Sequence, residues 1–293
     1  MISATSIGYA AWCAMTPAYA AKVIGITSHG LFLLVSPQRI IFVSSERYRG
    51  PLTINVDRSL DRLHDLEIGA PAQFSANRLI VPSIEFSLSL PADAVWHCPP
   101  PHSAACPRTE QRQTLRSIAE GALAQKHGDG FAVVLPKLLD LADASPLSVE
   151  HSALLDQLIV IRRAVQTGDS QTAIAGLIGL LGQGRGLTPS GDDVVIGLLL
   201  MLARSLRLKS QAGSENMLPH IAASVVAEAY QRTTAISANL IECAGDGQGD
   251  ERLITVMDGI ATGSASIDEC VACVLGWGSS SGIDALLGMA IAL

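Results

Sequence analysis

The run GRGLTPSGDDVVIGLLL, Gly184–Leu200, sets glycines, two hydroxyl residues and two adjacent carboxylates directly before an unbroken apolar segment. Gly182, Gly184 and Gly186 permit positive φ and close approach to the backbone, and Pro189 fixes the chain where a helix begins. The apolar run from Val194 stops at Arg204, well short of the roughly 20 residues that a membrane span requires. The stretch therefore reads as a loop feeding a buried helix of a globular domain. Such a helix start presents unpaired N–H groups and the positive end of the macrodipole, which favour a phosphate or carboxylate. No Lys follows the glycines, so this is not a P-loop.

Ser190 and Asp193 are spaced as a variant capping box, and capping alone would account for one such pair. The sequence supplies a second copy. SGIDALLG, Ser281–Gly288, repeats the S-G-x-D-x-x-x-G of Ser190–Gly197, and in each copy Ser, Asp and the second Gly share one helix face. The two helices are expected to cross at Gly197 and Gly288 and to bring their polar starts over one cleft. A third polar patch, Thr233, Thr234 and Ser237 with Arg232, lies in RTTAISANLIE; its hydroxyls either bond back to the preceding turn or join the same site.

The candidate small-anion site is therefore Gly184, Arg185, Gly186, Thr188, Ser190, Gly191, Asp192, Asp193, Arg232, Thr233, Thr234, Ser237, Ser280, Ser281, Gly282 and Asp284, with no residue assigned a catalytic role. Arg185 and Arg232 are its cations. Two adjacent carboxylates would repel an anion, so either Asp193 caps the helix and Asp192 alone reaches the ligand, or the pair holds Mg²⁺. The first arrangement is favoured, and no cofactor is expected.

Working outward, the C-terminal part reads as helical throughout. Helices are expected near 189–208, 217–232, 234–244, 251–262, 266–276 and 282–293. Upstream, Leu115, Ile118, Ala119, Ala122 and Leu123 line one helix. Leu154, Leu155, Leu158, Ile159 and Val165 line another that ends at Gly168, and Asp169 is placed to cap the next. From Lys22 to Leu90 the pattern changes to short strands: VIGITSHG, LFLLV, RIIFVS, PLTINV, AQFSA, RLIV and the alternating IEFSLSL at Ile84–Leu90. CPPPHSAACP, Cys98–Pro107, supports neither element. The expected fold is α+β: an antiparallel β-rich domain at 1–98, either sheet or small barrel, a Pro-rich linker at 99–108, and a mostly α-helical domain at 109–293.

A formal charge of −7 over 293 residues gives no basic field for nucleic acid or anionic lipid. The 48% hydrophobic content with only 16% charge points to a homo- or hetero-oligomer. TPAYAAK at Thr16–Lys22 imitates a leader cleavage site but lacks a basic n-region, and the six cysteines are scattered, so a cytoplasmic protein that keeps its N-terminus is expected. His97, Cys98, His102 and Cys106 fit no standard zinc spacing, and Cys270 with Cys273 reads as a pair of core thiols. His29, His64, His127, His151 and His220 stand singly, without a triad pattern.

The run GQGRGLTPSGDD resembles the signature of the AllH-like family, a bacterial group associated with oxamate carbamoyltransferase in anaerobic allantoin degradation. The likeness extends to T-T-x-I-S at Thr233–Ser237, to G-x-S-S-G-x-D-x-L-x-G at Gly278–Gly288 and to LPADAVW at Leu90–Trp96; the uncharged start and the CPPPHSAACP linker are not part of it. The resemblance implies carbamoyl transfer between oxamate and phosphate, shared with other subunits of a complex. Phosphate itself would attack, so no nucleophilic side chain is required. Donors gathered at helix starts suit the charge that collects in such a transition state. Two other readings stand beside it: a non-catalytic small-anion-binding or assembly subunit, and a Mg²⁺-dependent phosphotransfer enzyme using Asp192 and Asp193.

Overall fold

The structure, a computed structural model, describes residues 2–15, 20–57, 65–75, 77–101, 105–125, 130–141, 146–208, 217–264 and 266–293. Residues 16–19 of the TPAYAAK stretch and the residues His64, His102 and His127 lie outside these. The chain forms two compact units, Met1–Pro99 with Gly249–Glu251, and Pro100–Gln248 with Arg252–Leu293. No helix among the described residues is long and apolar enough to cross a membrane.

The first unit is a β-barrel. Its strands are β1 (Ile2–Gly8), β2 (Ala20–Thr27), β3 (Gly30–Ser36), β4 (Arg39–Ser44), β5 (Thr53–Val56), β6 (Pro71–Ser75), β7 (Arg78–Val81), β8 (Phe86–Ser89) and β9 (Val95–Trp96), with one short helix, α1 (Tyr9–Met15), after β1. They run in the order β5-β4-β3-β2-β6-β7-β8-β1-β9, and β1 pairs again with β5 to close the ring. Closure removes exposed edges, so short strands suffice. Alternate residues fill the interior: Val23, Leu31, Leu33, Ile41, Val43, Ile54, Leu79 and Leu88 are wholly buried.

Three features depart from the expected antiparallel sheet. β4 pairs β5, and β1 pairs both β8 and β9, in parallel. The closing strand β1 comes from the uncharged start of the chain, ahead of the strand-patterned region; its pairing with β8 and β5 joins segments remote in sequence, which local periodicity does not encode. IEFSLSL enters the sheet only at Phe86, because Pro82–Ile84 forms a 3-10 turn and Glu85 takes a left-handed φ of 51°.

The second unit is helical: α2 (Arg108–Gln125), α3 (Leu135–Leu138), α4 (Val149–Thr167), α5 (Ser170–Leu180), α6 (Ser190–Leu208), α7 (Met217–Arg232), α8 (Ala235–Gly245), α9 (Glu251–Thr262), α10 (Ile267–Gly276) and α11 (Ser281–Ala292), with Glu251 grouping with the first unit. Gly168 ends α4 at a φ of 78°, and the Asp169 carboxylate accepts the Thr172 N–H at 3.0 Å to start α5. On α4 the buried stripe is Leu154, Leu158, Ile161 and Ala164. Ile159, expected in that stripe, is instead exposed: it is adjacent to Leu158 and so points away from the buried side.

Candidate functional site

The site is built where α6 and α11 cross. A Cβ on Gly197 would overlap the Ala285 carbonyl oxygen, and one on Gly288 would overlap that of Val194. Ala285 follows Asp284 as Val194 follows Asp193, so the two S-G-x-D-x-x-x-G copies meet as a reciprocal pair. The first glycines repeat the relationship toward the preceding helices, since Gly191 abuts the Leu180 carbonyl and Gly282 that of Val274. Glycine at these four positions permits backbone-to-backbone packing. Gly191 and Gly282, expected to approach an anion, approach neighbouring backbone instead.

The crossing buries three carboxyl groups. Asp192, Asp193 and Asp284 each have 0% exposure. Asp192 Oδ1 accepts the Gly182 N–H at 2.8 Å, and its Oδ2 accepts the Thr233 hydroxyl. Burial pushes its pKa up, and the bonds from Thr233 and Gly182 hold that rise in check. Asp284 Oδ1 accepts the Phe131 N–H at 2.8 Å, and burial raises this carboxyl to about 6 against the moderating Ser190 hydroxyl. Asp193 is raised well above the usual carboxylate range, chiefly by burial, with the charges of Asp284 and Asp192 adding to it. The Ser281 and Thr188 hydroxyls lie near enough to oppose that rise. They do not form regular hydrogen bonds to it. Both oxygens of Asp193 and Oδ2 of Asp284 have no hydrogen-bond partner among the described residues.

The expected capping role therefore does not fall to Asp193, and it is Asp192 that is hydrogen-bonded. Asp192 ties the start of α6 to the 182 loop and to the start of α8. Asp193 does not cap: its own N–H bonds the Pro189 carbonyl at 3.2 Å while its carboxyl stays unpaired. Two successive helix residues point about 100° apart, and only the packing of α8 and α11 on α6 decides which of them meets a partner.

The remaining expected residues divide. Thr188 and Ser281 hydroxyls lie 3.2 Å apart, and Ser190 faces Asp284. Thr234 caps α8 by accepting the Ser237 N–H at 3.1 Å and donates to the Leu187 carbonyl at 2.6 Å. Ser237 is buried, its hydroxyl without a regular partner, and it helps hold down the Asp192 pKa. Ser280 is half-buried and lies next to Asp284. Gly184, at a φ of 113°, packs over the Ser190 N–H, while Arg185 and Gly186 are exposed. Arg232, expected as a cation of the site, is exposed and ion-paired with Glu228 at 2.7 Å, one helical turn back.

Sequence reasoning missed Gly130 and Phe131. A Cβ on Gly130, at a φ of 72°, would lie 2.5 Å from Asp284 Oδ2 and 2.7 Å from the Ser190 hydroxyl. The GDGF stretch signals a turn, but nothing local links it to Asp284, 153 positions away from Phe131. Among the described residues no group of three His, Cys, Asp or Glu is arranged to hold a metal ion. The chemistry on offer is a buried set of carboxyl acceptors and hydroxyls at three helix starts.

The segment that builds this cluster can be compared with known families. Residues 180–293 match the AllH family. That family is described as oxamate carbamoyltransferase subunit AllH. The AllH match takes in both S-G-x-D copies and the Thr233–Ser237 patch, so Gly130 and Phe131 are the members of the cluster outside it. No curated protein and no solved structure gives a significant match to the chain.

Proposed function

We propose that this chain is a subunit of an oxamate carbamoyltransferase-type enzyme and that the crossing of α6 and α11 forms its small-molecule site. The observation that carries the reading is the convergence, inside the AllH-matching segment, of three helix starts on buried carboxyls, of which both oxygens of Asp193 and one of Asp284 lack a hydrogen-bond partner among the described residues. In the transfer, a phosphate oxygen bonds the carbamoyl carbon of oxalurate and the carbon–nitrogen bond to oxamate breaks. The proton of hydrogen phosphate passes to the departing nitrogen, giving carbamoyl phosphate and oxamate. The hydroxyls of Thr188, Ser190 and Ser281, set at the positive ends of helices, suit the oxygen charge that develops on the way. Partner subunits supply what this chain lacks, and its six scattered cysteines suit a reducing cytoplasm.

A second reading, a non-catalytic small-anion-binding or assembly subunit, draws on one observation: Arg232 is paired with Glu228 and Arg185 points to solvent, so neither expected cation reaches the cluster. A thermal-shift panel of oxamate, oxalurate, carbamoyl phosphate, phosphate and Mg²⁺, followed by turnover with copurifying subunits, separates the two. A ligand at 100 times its Kd adds about 2.7 kcal/mol of stability. Binding without any turnover in the complex would favour the assembly reading, and no binding of any carbamoyl compound would overturn the enzymatic one.

A further inference from the structure

We infer that Asp193 and Asp284 recognise the N–H groups of the carbamoyl-bearing ligand, so that the acidic centre selects for nitrogen while the neighbouring Ser190 and Ser281 hydroxyls take the ligand's oxygens. The inference rests on the carbamoyl reading above and assigns residues to one end of the ligand. Both Asp193 oxygens and Asp284 Oδ2 are wholly buried acceptors without a donor. An unmet buried polar group is costly, and each such group in a folded protein calls for an explanation.

An anionic end does not satisfy them. A carboxylate or phosphate brings further acceptors rather than donors, and the expected cations Arg185 and Arg232 lie at the surface. What these oxygens lack is hydrogen-bond donors. An amide nitrogen has two diverging hydrogens, and here two acceptors come from opposite helices through the reciprocal S-G-x-D pair. The Ser190 and Ser281 hydroxyls beside them can donate to the carbamoyl oxygen. A hard cation would also satisfy carboxyl oxygens, but no three-ligand group of His, Cys, Asp or Glu is found among the described residues.

Oxamate and pyruvate make the test. They carry the same charge and nearly the same shape, and differ in an amino group against a methyl. A site built to hydrogen-bond an N–H rejects the analogue lacking it, by factors as large as about 10⁴. Calorimetric titration of the full chain should show oxamate bound at least about tenfold more tightly than pyruvate, and Asp193→Asn and Asp284→Asn should each reduce that preference several-fold. Asn is near-isosteric and exchanges one acceptor oxygen for a donor; should one variant fail to fold by circular dichroism, the ratio in the other decides. Equal binding of oxamate and pyruvate by the wild-type chain, or an unchanged preference in the variants, overturns the inference and leaves the proposed function standing. Stabilisation by Mg²⁺ alone, lost in both variants, assigns the oxygens to a cation and also overturns it. Failure to bind oxamate, oxalurate and phosphate alike removes the proposed function itself.

Discussion

Gly197 of α6 lies against the carbonyl oxygen of Ala285 on α11, and the same contact recurs from Gly288 to Val194. Neither helix can carry a side chain there without moving its partner. Gly197→Ala should destabilise the protein by about 1–3 kcal/mol or more, despite the gain in helix propensity, because the overlap is with backbone. Gly288→Ala should cost a similar amount, and the two should not add, since once the helices have separated the second methyl meets less resistance. Urea unfolding of the two single variants and the double variant measures this.

The Thr233 hydroxyl and Asp192 tie α8 to α6. Thr233→Val keeps the shape and removes the donor, so it should lower stability by about 1–3 kcal/mol and raise the Asp192 pKa further. Asp192→Ala, which also orphans the Gly182 N–H, should cost more. Chemical denaturation gives the energies, and carboxyl ¹³C titration follows the pKa.

Burial gives the Asp284 carboxyl a folded-state value of about 6, against an ordinary 3.8. The folded chain therefore holds this proton more tightly than the unfolded chain. The contribution is fully present below the ordinary value and is lost as pH rises through about 6; Asp193, raised for the same reason, extends the loss upward. Asp284→Asn should flatten the fall in stability between those two values, by a few kcal/mol at most. Unfolding free energies of wild type and variant across that range test the sign.

In the barrel, Asn55 Nδ2 donates to the carbonyls of Glu46 and Tyr48, both at 2.8 Å, from a side chain only 2% exposed. Asn55→Ala should cost about 1–3 kcal/mol and Asn55→Asp more, because a carboxylate would face two carbonyl oxygens. Hydrogen exchange at β5 should rise in both variants.

The sequence by itself determined the α+β class, the change of period after CPPPHSAACP and most helix limits, because caps and periodicity act within a few residues. Asp169 caps α5, Thr234 caps α8 and Gly168 closes α4, as local pattern requires. It also foretold the Gly197–Gly288 crossing, because an exact repeat of S-G-x-D-x-x-x-G carries its own packing face. Tertiary structure alone decided the rest. β1 closes the barrel by parallel and antiparallel pairings with segments remote in sequence, which no local period encodes. Asp192 and Asp193 are adjacent and chemically alike, yet one meets Gly182 and Thr233 and the other meets no donor, because neighbouring positions on a helix face different partners. Gly130 and Phe131 join the cluster through a contact between distant parts of the chain, and their turn signal has no long-range content. Local free energies fix where a helix begins; which carboxyl is left without a donor depends on how the helices pack.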